Sequence, residues 1–337
     1  MNYMPLSTDA MFQSFPFLQQ TRVNSLLLCE QLELALTELK LSSHSVVSVF
    51  AVGSLGRLEV GTPSDLDGVV VVDSDYQGQN NLYMMREIEE CYRKLGFRVA
   101  KASGIYRLPI EVSPLIDLSQ RGRLDEQPEI YGKRIQMLLD ARPIYAPGQF
   151  AKLQSQVLEW FLPSINGEFS YDFIINELQR YFHSYTSWQS FKFDKSEDDG
   201  WYLRQAKLRV TRVTTIAAMM MLVGLSIDID DHDTIRKQLA VTPVERLIFV
   251  FDHYNESELL ARFLSLYERA LILLLNEDLR DELITESPQN LEEAGRPFPP
   301  CYQQLYEISE ELMELLTAFS LGRQNDWPSS FYRNWLF

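Results

Sequence analysis

Residues 46–72 read VVSVFAVGSLGRLEVGTPSDLDGVVVV, and this stretch decides the fold. It begins and ends with short apolar runs that are rich in β-branched valine, which is typical of buried strands. Between Gly53-Ser54 and Asp65-Leu66-Asp67 lie ten residues with two glycines and one proline. These residues leave room for a turn and a short helix between two strands.

Asp65 and Asp67 form the first candidate site. Side chains alternate between the two faces of a strand, so both carboxylates point the same way and Leu66 points the other way. Two neighbouring carboxylates repel each other and stay ionised at low cost when a cation lies between them. Oxygen ligands of this kind suit Mg²⁺, which binds one or two carboxylates together with substrate phosphates. Gly53-Ser54 would add a backbone that a phosphate can approach closely and a hydroxyl to bind it.

The Gly53-Ser54 turn, the spacing to Asp65-Leu66-Asp67 and the two flanking strands resemble the DNA polymerase β-like nucleotidyltransferase superfamily. Residues 53–59 and 63–67 are most similar to the branch that holds the uridylyltransferase of the PII signalling protein. The resemblance covers roughly residues 45–150. It implies an α+β fold, in which a nucleotidyltransferase core with a mixed sheet and flanking helices precedes an all-helical domain. It also implies an NTP substrate and two Mg²⁺ ions.

A third carboxylate completes the site in that superfamily, within a strand of the pattern apolar-acid-apolar. Glu111 in Ile110-Glu111-Val112-Ser113-Pro114 matches this pattern, and a proline often follows in the oligoadenylate synthase branch. An acid between two apolar strand residues is costly unless it is paired or binds a metal. Asp117 is the competing candidate, and an edge-strand acid that faces water is the alternative for either residue. We favour Asp65, Asp67 and Glu111 as the catalytic and metal-binding set.

Three basic residues are candidates for contact with the nucleotide. Arg57 lies four residues after Gly53 and would reach a phosphate, although a surface arginine without such a role fits equally well. Arg204 and Lys207 lie three residues apart on a predicted helix and therefore share a face. Related enzymes place basic residues of the helical domain over the triphosphate. The alternative is that these cations pair with acidic residues of neighbouring helices.

Composition restricts the partners and the compartment. The formal net charge of −16 disfavours a nucleic-acid acceptor, because the phosphate backbone would be repelled. The three cysteines are scattered and odd in number, which fits a reducing cytoplasm better than a disulfide framework. We expect no membrane span, since no apolar run approaches the roughly 18 to 20 residues that a span needs. The N-terminus also lacks the pattern of a signal peptide.

Two domains are predicted, with the boundary at Pro147-Gly148. Residues 1–149 would form the nucleotidyltransferase domain with an N-terminal helix, and residues 150–337 would form the helical domain. The C-terminal aromatic residues are too apolar for a free tail, so they dock either on the helical domain or on a second chain. The second option would make the protein a homo-oligomer.

Three functions therefore compete. The first is Mg²⁺-dependent transfer of NMP to a protein or small-molecule hydroxyl, which the acidity and the resemblance to PII uridylyltransferases favour. The second is synthesis of an oligonucleotide or cyclic-nucleotide signal. The third is a non-catalytic nucleotide-binding or partner-binding module.

Overall fold

The computed structural model describes residues 11–61, 65–73, 81–98, 106, 108–165, 168–191, 200–286, 288 and 298–336. The chain forms two compact units. The first, called the sheet unit, comprises Gln20–Glu177 and His232–Thr242. The second, called the helical unit, comprises Met1–Gln19, Leu178–Asp231 and Pro243–Phe337.

A four-stranded mixed sheet forms the centre of the sheet unit, in the order β3-β2-β1-β4. The strands are β1 Val46–Val52, β2 Asp67–Val72, β3 Ile110–Glu111 and β4 Arg142–Tyr145. Strand β1 runs antiparallel to both β2 and β4, whereas β2 and β3 are parallel. The α+β class that the sequence predicts is therefore confirmed. That the sheet is a nucleotidyltransferase core stays a prediction.

Helices cover the sheet because both strands at its centre are apolar on both faces. Helix α1, Pro16–Glu38, and helix α3, Asn81–Lys94, contribute Leu32, Leu36, Met84 and Ile88 to a core that also holds Val49, Val70 and Leu66. Phe50, the residue after Val49, points to the opposite face of β1. It packs on Phe150 of helix α6, Pro147–Phe161, with ring centroids 5.2 Å apart. The short helices α2, Gly53–Gly56, and α4, Val112–Ile116, and the longer α5, Pro128–Leu139, connect the strands.

The remaining elements are mostly helical. They are β5 Ser164–Ile165, β6 Glu168–Phe169, α7 Asp172–Ser190, α8 Trp201–Lys207, a π-helical segment Leu208–Arg212, α9 Val213–Asp228, α10 His232–Gln238, α11 Pro243–His253, α12 Ser257–Leu275, α13 Glu277–Thr285, α14 Pro300–Gly322 and α15 Ser329–Leu336. Short 3₁₀ turns at Leu41–His44 and Leu118–Gln120 complete the description.

The division between the units differs from the predicted boundary at Pro147-Gly148. It falls between Glu177 and Leu178, within α7. The physical reason is that α6 buries its apolar face, including Phe150 and Val157, in the sheet unit. A proline and a glycine at the start of a helix mark a chain turn, and here that turn lies inside one compact unit.

The C-terminal aromatic residues dock on the helical unit, as the first of the two expectations stated. Trp327 and Phe331 are buried, and the Trp327 indole Nε1 donates a hydrogen bond of 2.8 Å to Tyr254 Oη. A β-carbon at Gly224 of α9 would lie only 2.7 Å from the Trp327 ring, so this glycine makes room for the indole.

One apolar helical stretch among the described residues, Trp201–Asp228, is long enough to cross a membrane by length and composition alone. The most apolar window of this stretch is 78% buried inside the structure. Such burial is expected for a core helix, because a helix that is apolar all round must be covered on every side.

Candidate functional site

Gly53 and Asp67 meet at one end of the sheet, where β1 ends and β2 begins. Val52 and Asp67 are directly paired across the antiparallel ladder. Gly53 follows with a φ of 70°, in the left-handed region that glycine adopts at little cost. A β-carbon at Gly53 would lie 3.1 Å from Asp67 Oδ2, so the glycine backbone lies directly against the carboxylate. The structure thus brings the Gly53-Ser54 turn and Asp67 together.

Asp65 lies at the same end of β2 and is exposed. It forms a parallel bridge with Arg98, and the Leu66 amide donates a hydrogen bond of 3.4 Å to the Arg98 carbonyl. Leu66 is buried in the core, whereas Asp65 is exposed and Asp67 is half-buried. The alternation of these three side chains is therefore the one that the sequence predicts.

A buried ion-pair network holds the turn after Gly53 in place. Arg57 Nε lies 2.7 Å from Glu59 Oε2, and Arg57 NH1 lies 2.9 Å from Asp140 Oδ2. The three side chains are 9%, 6% and 0% exposed. Because Asp140 caps the C-terminus of α5, the network ties the Gly53 turn to that helix. At such low exposure, loss of one partner leaves a buried charge uncompensated, which is costly.

Gly56 lets this turn approach α5 closely. A β-carbon at Gly56 would lie 1.8 Å from the Asp140 carbonyl oxygen, which no side chain can tolerate. The second glycine of the motif therefore serves backbone packing within the protein.

The Arg57 guanidinium is directed to Glu59 and Asp140, and the side chain is 9% exposed, so Arg57 is not the surface arginine weighed from sequence. Its contact with a phosphate stays a prediction. The Asp140 side chain supports the turn through its ion pair with Arg57.

Glu111 does not join Asp65 and Asp67, which corrects the expected three-carboxylate set. In the parallel ladder Glu111 pairs with Val72, and Val72 lies five residues beyond Asp67 on β2. At a rise of 3.3 Å per residue, this register separates the two positions by about 16 Å. Because Val72 lies an odd number of residues after Asp67, the two side chains are on opposite faces of the sheet, and Glu111 pairs with Val72. Among the residues that the structure describes, no three His, Cys, Asp or Glu side chains form a group that could hold a metal.

Asp117, the competing candidate, has a local structural role. It caps the 3₁₀ turn and accepts hydrogen bonds of 2.9 Å from both the Ser119 amide and the Ser119 hydroxyl. These bonds, to the backbone first, lower the pKa of the Asp117 carboxyl because they stabilise its charged form.

The donor set at the start of β2 fits one Mg²⁺ ion with two carboxylates. Asp65 and Asp67 would supply oxygen ligands there, one exposed and one half-buried, and Mg²⁺ normally completes its shell with water and substrate phosphates. A second ion shared with Glu111 does not fit the observed register.

Arg204 and Lys207 lie in α8 of the helical unit, on the predicted shared face of a helix. Each has interaction partners within the structure. The nearby Arg209 shows the pairing alternative directly: it forms an ion pair with Glu310, donates a hydrogen bond of 3.0 Å to Ser309 Oγ and stacks 4.1 Å from the Tyr306 ring centre. Contact of Arg204 and Lys207 with a nucleotide stays a prediction.

Sequence analysis did not identify Glu59, Lys133 or Gln136 as candidates. Glu59 is separated from Arg57 by one residue, and a charge pair at that spacing within an apolar turn is a usable signal. Lys133 precedes the apolar end of α5 and Gln136 interrupts it. A polar residue within an apolar helical run is a signal that could have identified both.

Comparison with models of known protein families finds no match, and no curated protein matches the sequence significantly. The fold and the site by themselves define a mixed α and β protein with two carboxylates at the start of a central strand.

Proposed function

We propose that this protein binds an NTP with Mg²⁺ at the start of β2 and transfers NMP to a hydroxyl group, with release of pyrophosphate. The observation that carries the proposal is the contact between Gly53 and Asp67. A β-carbon placed on Gly53 would lie 3.1 Å from Asp67 Oδ2. It joins a glycine turn to the carboxylate of Asp67, the first residue of β2, and Asp65 lies two residues before it. A phosphate can approach such a turn closely, and the two carboxylates suit the metal ion that accompanies triphosphates.

In the proposed reaction the acceptor oxygen forms a bond to the α-phosphorus, and the bond from that phosphorus to the bridging oxygen of pyrophosphate breaks. The acceptor hydroxyl loses its proton to water. Mg²⁺, when bound, neutralises charge on the phosphates and positions them. Asp65 and Asp67 would hold the ion, and the Arg57 network would keep the Gly53 turn in place.

The acceptor is proposed to be a protein or a small molecule. The net charge of −16 supports this, since nucleic acid would be repelled over most of the surface. Synthesis of an oligonucleotide or cyclic nucleotide is the outcome to test against it.

A second candidate is a nucleotide-binding module that does not transfer NMP. The register that separates Glu111 from Asp67 favours it, because a third carboxylate at the metal pair is then missing from the described residues. Two carboxylates suffice to bind Mg²⁺ with a nucleotide.

The test measures binding of each NTP with Mg²⁺ and release of pyrophosphate, with and without cell extract as a source of acceptor. The variants are wild type, Asp65→Asn with Asp67→Asn, and Glu38→Gln as a control for an exposed acid of the same unit. Wild type and Glu38→Gln should bind and release pyrophosphate, and the double variant should do neither.

Binding without pyrophosphate release would establish the second candidate. Labelled nucleotide products without added acceptor would establish signal synthesis. If wild type binds none of the four NTPs, the proposal is wrong.

A further inference from the structure

Lys133 of α5 is a buried cation, with 3% of its surface exposed. Among the described residues, no hydrogen bond or ion pair to its ammonium group is found. Burial lowers the pKa of Lys133, and Glu129, one helical turn earlier, opposes this shift through its charge. The Lys133 Nζ is not among the buried atoms without a hydrogen-bond partner, so the ammonium reaches solvent while the rest of the side chain is covered. A largely covered cation that has only water to solvate it is costly, so its presence requires a physical reason.

The other cations buried in this unit have partners inside the protein. Arg134, the next residue, lies 2.7 Å from Glu126 and donates hydrogen bonds to the carbonyls of Leu115 and Pro114. Arg57 contacts both Glu59 and Asp140. Lys133 differs from both, although it lies on the same helix as Arg134.

Gln136 is the second unusual group on this helix, and it is 4% exposed. Its Nε2 donates a hydrogen bond of 2.8 Å to Tyr106 Oη. Its buried Oε1 has no hydrogen-bond partner among the residues that the structure describes. Lys133 and Gln136 are three residues apart and therefore lie on one face of α5, with side chains about 5 to 6 Å apart at Cβ.

Together the two groups offer a cation that needs an anion and an acceptor that needs a donor. We propose that Lys133 and Gln136 form a binding subsite for a phosphate-bearing small molecule. The Lys133 ammonium pairs with the phosphate, and Gln136 Oε1 accepts a hydrogen bond from a hydroxyl or amine of the same ligand. A sugar phosphate or a nucleotide carries both kinds of group.

The subsite lies two turns along α5 from Asp140, about 10 Å by the rise of the helix. Asp140 in turn anchors the turn at Gly53 through Arg57. Assignment of the ligand to the transfer reaction rests on the proposed function. The phosphate then belongs either to the nucleotide or to a phosphorylated acceptor, and binding of phosphate itself does not depend on that reaction.

The test uses inorganic pyrophosphate and ATP as probes, without Mg²⁺, so that the carboxylate pair contributes nothing through a metal. Lys133→Met keeps the length of the side chain and removes its charge. Lys152→Met makes the same change at an exposed lysine of α6 and serves as the control. Lys133→Gln is a second variant with a polar end, in case the first does not fold.

Lys133→Met should weaken pyrophosphate binding at least about tenfold, as expected for loss of one charge-assisted contact, and Lys152→Met should not. The unliganded Lys133→Met protein should melt at a higher temperature than wild type, because the cost of partly desolvating the lysine cation is gone. If Lys133 only stabilises the fold, the variant would instead melt lower and bind pyrophosphate as wild type does. That result, or absence of pyrophosphate binding by wild type, overturns the proposal.

Competition identifies the source of the phosphate. If ATP displaces pyrophosphate from wild type, the subsite takes the nucleotide. If both bind at once, it takes a phosphorylated acceptor. The two proposals can fail separately. If wild type binds pyrophosphate but does not bind NTP with Mg²⁺, the proposed function is wrong and the subsite stands.

Discussion

The two ends of β2 are built in different ways. At the start of the strand, Gly53 and Asp67 are neighbours because the end of β1 and the start of β2 are paired in an antiparallel ladder. At its far end, Glu111 arrives on a parallel strand after a crossover through α3. A direct connection between antiparallel strands returns the chain to the same end of the sheet, whereas a crossover leaves the register to packing. Spacing in the sequence therefore predicts the first end and not the second.

The largest expected effect tests what holds the start of β2. Arg57→Met would remove a buried cation that contacts the carboxylates of both Glu59 and Asp140, so we expect the free energy of unfolding to fall by about 3 to 5 kcal/mol. Urea denaturation measures this change.

Arg123→Met is the matched control for that experiment. Arg123 pairs with Asp125 at the surface, where the side chains are 50% and 71% exposed. Solvent screens an exposed pair, so its loss should change the free energy of unfolding far less than Arg57→Met does. Equal costs at both positions would show that the network does not hold the turn.

The next effect contrasts the two ends directly. Asp67→Asn should reduce kcat/KM for pyrophosphate release at least about 100-fold, since even changes to groups behind a metal ligand cost 10- to 100-fold. Glu111→Gln should leave activity close to that of wild type, because Glu111 lies about 16 Å away along the strand. Where no transfer is seen, ATP affinity with Mg²⁺ serves as the measurement. An equally large loss in Glu111→Gln would mean that the register places Glu111 at the metal pair during turnover.

The smallest effect concerns α5, whose C-cap Asp140 pairs with Arg57 and whose Lys133 has no ion-pair partner among the described residues. The pKa of Lys133 is lowered from 10.5, so the unfolded chain binds more protons than the folded one between the lowered pKa and 10.5. The free energy of unfolding should therefore rise with pH across this window, by comparison with Lys133→Met. Urea denaturation of both proteins over the alkaline range measures the difference. A constant difference at every pH would contradict a lowered pKa.

The residue pattern alone was enough to predict the strands beside Gly53-Ser54 and Asp65-Leu66-Asp67 and the alternation of the two aspartates, and the resemblance added the α+β class. Local rules suffice for the strands, because an apolar β-branched run and the alternation of side chains leave few arrangements. It also predicted that the C-terminal aromatic residues are covered, since exposed apolar surface of that size is unfavourable.

Only the tertiary structure decided the rest. The position of Glu111 depends on the register of a parallel strand. One partner of Arg57 is Asp140, which lies more than eighty residues away in the chain. The boundary between the units lies within α7 and not at Pro147-Gly148, because α6 packs on β1. Burial of Lys133 beside a paired Arg134 is likewise a property of packing, since the two adjacent cations differ in sequence only by residue type. Contacts over long sequence separation set each of these outcomes, and no local pattern encodes them.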